Sequence, residues 1–356
     1  MNNKLLILQP MLADYRVETY NIISQEYNLD VAFTNGDRTN SHCNFNKVKL
    51  SSIKIGPLYY IKNLYKLCNK YDVVIMMADL HYPQYCLMPF LKRKYKVLSW
   101  GIGFRVSYNH PYLTNRKHVF LDNLLKKVLV KCDANILYME KAKEFWANSG
   151  FPMEQLFVAP NTTSVINIDL TPDNKKDFLF VGTLYKGKGI ELLLDSFKKL
   201  LYECKTEACL VIVGDGPEKD NIIKYVRDNN LGSRVIIKGA IYDELKLAQV
   251  FKTAIACISP TQGGLSVPKS MGYGVPFVVR RDAITGGEIF HIKNGNNGIL
   301  YEKDDDLYYI MKEAMTSPNK YIEMGKNAKS YYDSYATPYL MARGAMDAID
   351  YAVRKS

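Results

Sequence analysis

The run Cys257–Arg280, CISPTQGGLSVPKSMGYGVPFVVR, has the residue types and spacing of an anion site. It orders an apolar strand ending at Ser259-Pro260, a Gly263-Gly264 turn, a short helix from about Ser266 to Tyr273, a Gly-Val-Pro turn and a second apolar strand. Amides that open such a helix lack intrahelical partners, and the helix dipole favours negative charge there. Gly264 and Leu265 are therefore candidates to hold a phosphorylated ligand. An ordinary α/β turn without a ligand has the same local look, so the other motifs decide. Four more glycine-rich exits follow strand-sized apolar runs: Val181-Gly182-Thr183-Leu184 with Lys186-Gly187-Lys188-Gly189, Val213-Gly214-Asp215-Gly216-Pro217, Lys238-Gly239-Ala240, and Gly286-Gly287-Glu288 with Asn294-Gly295-Asn296-Asn297-Gly298. Glycine admits close approach of backbone to ligand, and a lysine such as Lys188 supplies compact positive charge for phosphate oxygens. One glycine at a βα turn is geometry; five such exits in order outline a ligand edge.

These loops need strands to present them. Strand-sized runs at Asp177–Val181, Cys209–Val213, Val235–Lys238, Ala254–Ser259 and Phe277–Val279 alternate with helical segments at Gly189–Leu201 and Pro217–Asn229, which predicts a doubly wound parallel sheet. The first half repeats the scheme. Leu5–Gln9, Leu29–Phe33, Val73–Met77, Val97–Trp100, Ala134–Tyr138 and Leu156–Val158 are read as strands, and Val17–Glu26, Asn115–Lys131 and Tyr138–Ser149 as helices, the last stopped by Gly150. Pro160–Thr163 and Thr171–Lys176 bracket a linker. The expected organisation is α/β with two Rossmann-like doubly wound domains facing a cleft, over residues 1–165 and 166–337, and a closing helix in 338–356 that packs back on the first.

The chain has 356 residues and a net charge of +11, with 47 Lys+Arg against 36 Asp+Glu. Residues 1–163 carry 21 basic against 12 acidic side chains (+9), which leaves 26 against 24 (+2) for the rest. The i, i+4 spacing of Lys62, Lys66 and Lys70 predicts one basic helical face beside Leu64, Tyr65 and Leu67. That face suits an anionic membrane surface, or simply solvent. Lys92-Arg93-Lys94 and Lys126-Lys127 add to the charge. No nucleic-acid module accompanies it, so a nucleic-acid partner is not expected. Seven scattered cysteines argue against disulfides and a zinc site, and no metal-ligand spacing occurs. No apolar run reaches the roughly 18 residues that span a bilayer, and Lys4–Gln9 is too short for a signal peptide. The expected location is the cytoplasm, with peripheral attachment to the inner face of the plasma membrane as an option. A nicotinamide dehydrogenase is disfavoured because Gln9-Pro10-Met11 stands where a G-x-G-x-x-G turn would follow the first strand. A serine hydrolase lacks its nucleophile elbow.

With these motifs in place, the chain resembles the family 4 glycosyltransferases of the GT-B architecture. The resemblance is sharpest through FLFVGTLYKGKGIELLLDSF, LVIVGDGPEKDNI, VIIKGAI, the Cys257–Arg280 run and GGEIFHIKNGNNGIL, and continues through LLILQPMLADYRVETYNII, VLSWGIG and LFVAPNTTS. It implies a transferase that moves a sugar from a nucleotide-diphosphate donor with retention and without an essential metal or other cofactor. The implied acceptor is a growing, lipid-linked surface glycan of the capsule or lipopolysaccharide kind in a bacterium. By position, Lys188 matches the lysine on the donor diphosphate, Gly264 and Leu265 the amides over the phosphates, and Lys238-Gly239-Ala240 the nucleobase loop, with Gly182 and Thr183 alongside. The family's two glutamates are replaced by Thr261 and Lys269, and its arginine by Thr183. Thr261 is then a candidate for the sugar hydroxyls, Lys269 for a phosphate or ribose oxygen, and Glu288 for partial compensation or a helix cap. A silent nucleotide-sugar-binding subunit of a glycan-assembly complex is the alternative.

On the acceptor side the candidates are Asp14, Arg16, Asp79, Trp100 and Arg105, at strand ends expected to face the cleft. Arg16 and Arg105 are read either as phosphate ligands or as structural ion-pair partners, and Trp100 either as a sugar-stacking ring or as packing.

Overall fold

The computed structural model describes residues 3–103, 119–167 and 175–355. Arg105 lies outside them. The chain divides into two compact units. One is built from the chain up to residue 103, from 119–163 and from Thr337 onward; the other is Ser164–Ala336.

The first unit contains strands β1 (Lys4–Gln9), β2 (Asn28–Phe33), β3 (Asn46–Lys49), the hairpin β4 (Ser52–Ile55) and β5 (Leu58–Ile61), then β6 (Val73–Met76), β7 (Lys96–Gly101), β8 (Ala134–Leu137) and β9 (Leu156–Val158). Its helices are α1 (Val17–Glu26), α2 (Leu64–Cys68), α3 (Pro83–Leu87), α4 (Val119–Lys131) and α5 (Glu140–Asn148). The main sheet runs β9-β8-β7-β6-β1-β2-β3, all parallel. Alternation along β1 shows why it is covered on both faces. Leu5 and Ile7 enter one core and Leu6 and Leu8 the other, all fully buried, at roughly 1.5–3 kcal/mol each.

The second unit contains β10 (Asp177–Val181), β11 (Leu210–Val213), β12 (Val235–Gly239), β13 (Ala254–Ile258), β14 (Phe277–Arg280) and β15 (Gly298–Tyr301). Its helices are α6 (Ile190–Glu203), α7 (Lys219–Asp228), α8 (Glu244–Lys252), α9 (Ser266–Gly272), α10 (Asp306–Thr316) and α11 (Pro318–Tyr335). The order β12-β11-β10-β13-β14-β15, again all parallel, reverses direction between β10 and β13. Both units are therefore Rossmann-like, the fold class expected from the sequence. Phe178 and Phe180 face one core and Leu179 the other, which reproduces the logic of β1.

The last helix, α12 (Pro338–Arg354), belongs to the first unit. Met341, Ala342, Ala345, Met346, Ala348, Ile349 and Ala352 recur at helical spacing and are buried in the core that holds Leu5 and Ile7. Thr337 caps it, its hydroxyl accepting from the Leu340 amide at 3.2 Å.

One expectation is corrected. Lys62, Lys66 and Lys70 do not share a helical face. Asn63 adopts a left-handed conformation (φ 57°) and α2 spans only Leu64–Cys68, so Lys62 and Lys70 lie outside it. Among the described residues, no helix is long and apolar enough to cross a membrane.

Candidate functional site

The reversal between β10 and β13 sets two loops side by side at the carboxyl edge of the second sheet, where ligands of doubly wound folds bind. β10 leaves through Gly182 and Thr183 into a 3-10 turn, Lys186–Lys188, and then into α6. Gly189 is the hinge between turn and helix. Its φ is +66°, and a Cβ there would meet the Thr261 methyl at 2.9 Å, so only glycine fits. β13 leaves through Ser259–Thr261, and the Thr261 hydroxyl donates to the Gly187 carbonyl at 2.6 Å. That bond locks the two exits together. It commits the Thr261 proton, leaving the hydroxyl oxygen to accept. The Tyr185 hydroxyl bonds Gln262 across the same seam.

Lys188 is buried, with its ammonium beside the start of the exit loop: a Cβ placed on Gly182 would lie 3.6 Å from Nζ. The Tyr185 ring sits 5.7 Å from that ammonium. Burial brings the Lys188 pKa down from 10.5 to about 8, against an opposing pull from the Glu288 carboxylate. Glu288 is itself buried. Its Oε2 accepts from the Thr285 hydroxyl at 3.0 Å and the Gly286 amide at 2.8 Å, and the Thr285 oxygen in turn accepts from the amides of Gly287 and Ile289. A desolvated cation and a fixed carboxylate thus share one edge. The carboxylate offsets part of the cost of the buried ammonium.

Gly264 and Leu265 lead into α9, whose first turn is closed by the Val267 amide on the Gly264 carbonyl and the Lys269 amide on the Leu265 carbonyl. Thr183 and Lys238 are exposed, and Gly239 holds φ +70° at the end of β12. Lys269, expected on a phosphate or ribose oxygen, is turned elsewhere. Its ammonium binds the Glu244 carboxylate at 2.8 Å and the Ser164 carbonyl at 2.7 Å, while the Tyr273 hydroxyl also donates to Glu244 at 3.1 Å. The charge at this position holds the segment after the linker onto α9.

The glycines of Val213–Pro217 serve packing. A Cβ on Gly214 would stand 1.9 Å from the Gly182 carbonyl and one on Gly216 2.3 Å from that of Leu184. Backbone approaches backbone there, and the exits are stitched by Gly182 N–H to Val213 O (3.0 Å) and Gly214 N–H to Gly239 O (2.8 Å).

The first-unit candidates are largely structural. Arg16 is buried, donating to Asn161 Oδ1 at 2.5 Å, Tyr138 Oη at 3.1 Å and Met341 Sδ at 2.9 Å, so it joins the first loop to α12. Asp14 accepts from the amides of Asn40 and Ser41 at 2.7 and 2.8 Å. Asp79 pairs with His81 at 2.7 Å, at the end of β6 next to β1 in the sheet. Trp100 is 3% exposed and meets Tyr20 edge to face at 6.1 Å, so its ring is core and offers no sugar platform. Among the described residues, no group of three His, Cys, Asp or Glu has the arrangement to hold a metal ion. Sequence reasoning missed Tyr185, Gln262, Thr285 and Glu244. Asp243, which caps α8 by accepting from the Lys246 amide at 3.0 Å, was the local signal that places Glu244 at a helix start.

Residues 162–331 match the profile of the family "Glycosyl transferases group 1". The alpha-monoglucosyldiacylglycerol synthase of Acholeplasma laidlawii is 22% identical over 309 residues, 84% of this chain and 72% of that protein. A Campylobacter jejuni N-acetylgalactosamine-N,N'-diacetylbacillosaminyl-diphospho-undecaprenol 4-alpha-N-acetylgalactosaminyltransferase is 26% identical over 191 residues, 43% of this chain and 51% of that one. HepE of Anabaena, solved in complex with UDP, superposes with a TM-score of 0.69 at 13% identity, covering 98% of this chain and 99% of that one. The segment that resembles the group 1 glycosyl transferases, residues 162–331, thus holds every strand exit described above for the second unit.

Proposed function

We propose that the chain transfers a glycosyl group from a nucleotide-diphosphate sugar, with UDP as the nucleotide, to a lipid-linked glycan or glycolipid acceptor, with retention of anomeric configuration. The observation that carries this reading is the buried Lys188 ammonium at the β10–β13 reversal, beside the Gly182 backbone and opposed by Glu288. UDP is supported by its presence in the HepE structure. A lipid-borne acceptor is supported by the names of the Acholeplasma and Campylobacter relatives.

In this reading the diphosphate lies over the Gly182–Gly189 loop, and Lys188 meets the charge that grows on the leaving phosphate as the bond to the sugar breaks. That is electrostatic stabilisation in a water-poor setting, aimed at the leaving group. Glu288, held by the Thr285 hydroxyl and the Gly286 amide, favours the charged form of Lys188 and in this reading accepts from a ribose or sugar hydroxyl. Thr261 keeps acceptor capacity for a sugar hydroxyl while its proton holds Gly187. Gly264 and Leu265 offer amides to the phosphate, and Gly239 with Lys238 borders the base. No step here draws on a metal ion.

Thermal-shift titration with UDP, GDP and CMP, followed by a transfer assay with UDP-sugars and a membrane-lipid extract, tests the proposal. Stabilisation by UDP alone and nucleotide release that depends on the extract are expected. Stabilisation without release from any donor would assign the chain a silent binding role, and indifference to all three nucleotides would end the reading.

A further inference from the structure

The first unit presents a surface that is both aliphatic and strongly basic. In the hairpin β4–β5, Ser52 pairs with Ile61, Ile53 with Tyr60, Lys54 with Tyr59 and Ile55 with Leu58, around Gly56-Pro57. Side chains alternate along a strand and cross-strand partners share a face. Ile53, Ile55, Leu58 and Tyr60 therefore form one face, and Ser52, Lys54, Tyr59 and Ile61 the other. The second face is seated on the body of the unit. Ile61 is fully buried, the Gln84 amide group bonds its N–H at 2.5 Å and its carbonyl at 3.0 Å, and Tyr59 stacks on Tyr82 with ring centres 5.0 Å apart. The first face is open, with Ile53 60% exposed, Ile55 68%, Leu58 42% and Tyr60 51%.

The helix that supplies Gln84, α3, leads on to Leu87, Phe90 and Leu91, also exposed, and then to Lys92-Arg93-Lys94. Residues 46–71 hold six lysines and no Asp or Glu, and residues 80–103 hold no Asp or Glu either. Lys54, Lys62, Lys66, Lys70, Lys92 and Lys94 are all exposed.

We propose that this hairpin face docks on an anionic lipid bilayer, its aliphatic side chains entering the boundary between headgroups and acyl chains while the surrounding lysines meet headgroup phosphates. Exposed aliphatic area and cationic flanks are the two terms that bind a peripheral protein to such a surface. Charge decides against the other occupants. A second copy docked by the same face would bring two lysine-rich, carboxylate-free segments together, at an electrostatic cost. Ile53, Ile55 and Leu58 give nucleic-acid bases no stacking platform, and Tyr60 alone does not make the row of rings that successive bases need. The inference goes beyond the transferase reading and stands whatever the acceptor.

Flotation of the full chain with vesicles of phosphatidylcholine alone, and of phosphatidylcholine mixed with phosphatidylglycerol, tests it. Binding is expected only with phosphatidylglycerol, and it should weaken as salt rises. Ile55→Asp with Leu58→Asp should lower binding at least about tenfold, while thermal unfolding and UDP stabilisation stay at the parent values because both positions are exposed. Lys62→Gln and Lys66→Gln should each weaken it about fivefold, the equivalent of ~1 kcal/mol per basic residue near the surface. These lysine variants carry the test should the aspartate pair fail to fold. Absence of flotation with phosphatidylglycerol overturns the proposal, as does parent-level binding by the folded variants. A dimer in light scattering that the aspartate pair turns into a monomer, with lipid binding unchanged, gives the face to a second copy instead.

Discussion

Lys188 carries the proposed chemistry at the residue scale. Its ammonium is already half lost at a pH of about 8 in the free protein, because burial disfavours the charged form. The sign of the pH dependence follows. Between about 8 and the ordinary 10.5 the unfolded chain holds a proton that the folded chain has released, so this group's contribution to stability rises with pH across that window. Ligand binding runs the other way, since a diphosphate needs the ammonium and must take up that proton above pH 8. UDP affinity measured by calorimetry should therefore be flat below pH 8 and fall by up to about tenfold per unit above it. Glu288→Gln removes the pull that raises the Lys188 pKa, so the break should move to lower pH. A break that stays in place would separate Glu288 from the lysine. Lys188→Ala should cut turnover at least about tenfold, if the contact supplies ~1.4 kcal/mol to the leaving group. Lys188 was legible in the sequence because its loop is a local motif. The Lys269–Glu244 pair was not, because its partners stand 25 residues apart on different helices and nothing local links them.

At the scale of elements, the strand exits act as one stitched edge. Gly214→Ala tests this, because its Cβ would fall 1.9 Å from the Gly182 carbonyl and push the β10 and β11 exits apart. Overpacking of this kind costs roughly 1–3 kcal/mol, and the Lys188 loop should be displaced with it. Both the unfolding temperature and UDP affinity should drop in that variant, whereas a stability loss alone would mean the loop is positioned by other contacts. Strands whose apolar runs are continuous, such as Phe178–Val181 and Ala254–Ile258, were readable because burial on both faces leaves no polar interruption. The hairpin was not. Its alternation of Ile53 and Ile55 with Lys54 and Ser52 puts apolar side chains outward, the reverse of the usual pattern. The lysine periodicity across Lys62–Lys70 imitated a helix that left-handed Asn63 and the brevity of α2 interrupt. α8 and α11 went unread because their ends carry few of the strong glycine signals used elsewhere, and β15 because it is only 4 residues long.

At the scale of the molecule, the two Rossmann-like units were visible from the restart of strand–helix alternation after the Pro160–Thr163 segment. The segregation of basic charge into residues 1–163 was visible as well. Placement of α12 decides how independent each unit is. Ser164–Ala336 holds its two cores within itself. The first unit instead needs a segment from the far end of the chain, for α12 lies on α1, β7, β8 and β9 so closely that a Cβ on Gly344 would come within 2.0 Å of the Val158 carbonyl. Ending the chain at Ala336 removes seven buried side chains from the first core. At roughly 1.5–3 kcal/mol for each larger one, the loss rivals a domain's whole stability of about 5–15 kcal/mol. The shortened chain should bind the dye ANS and lose the cooperative unfolding of its first half, while its UDP response persists. Synthesis proceeds from the amino end, yet the earlier-made unit must wait for the final segment to leave the ribosome before it can close. The later-made unit is complete before that. During translation the order of maturation is thus inverted, and a nascent chain completes its glycine-rich strand exits while its basic half is still open to chaperones.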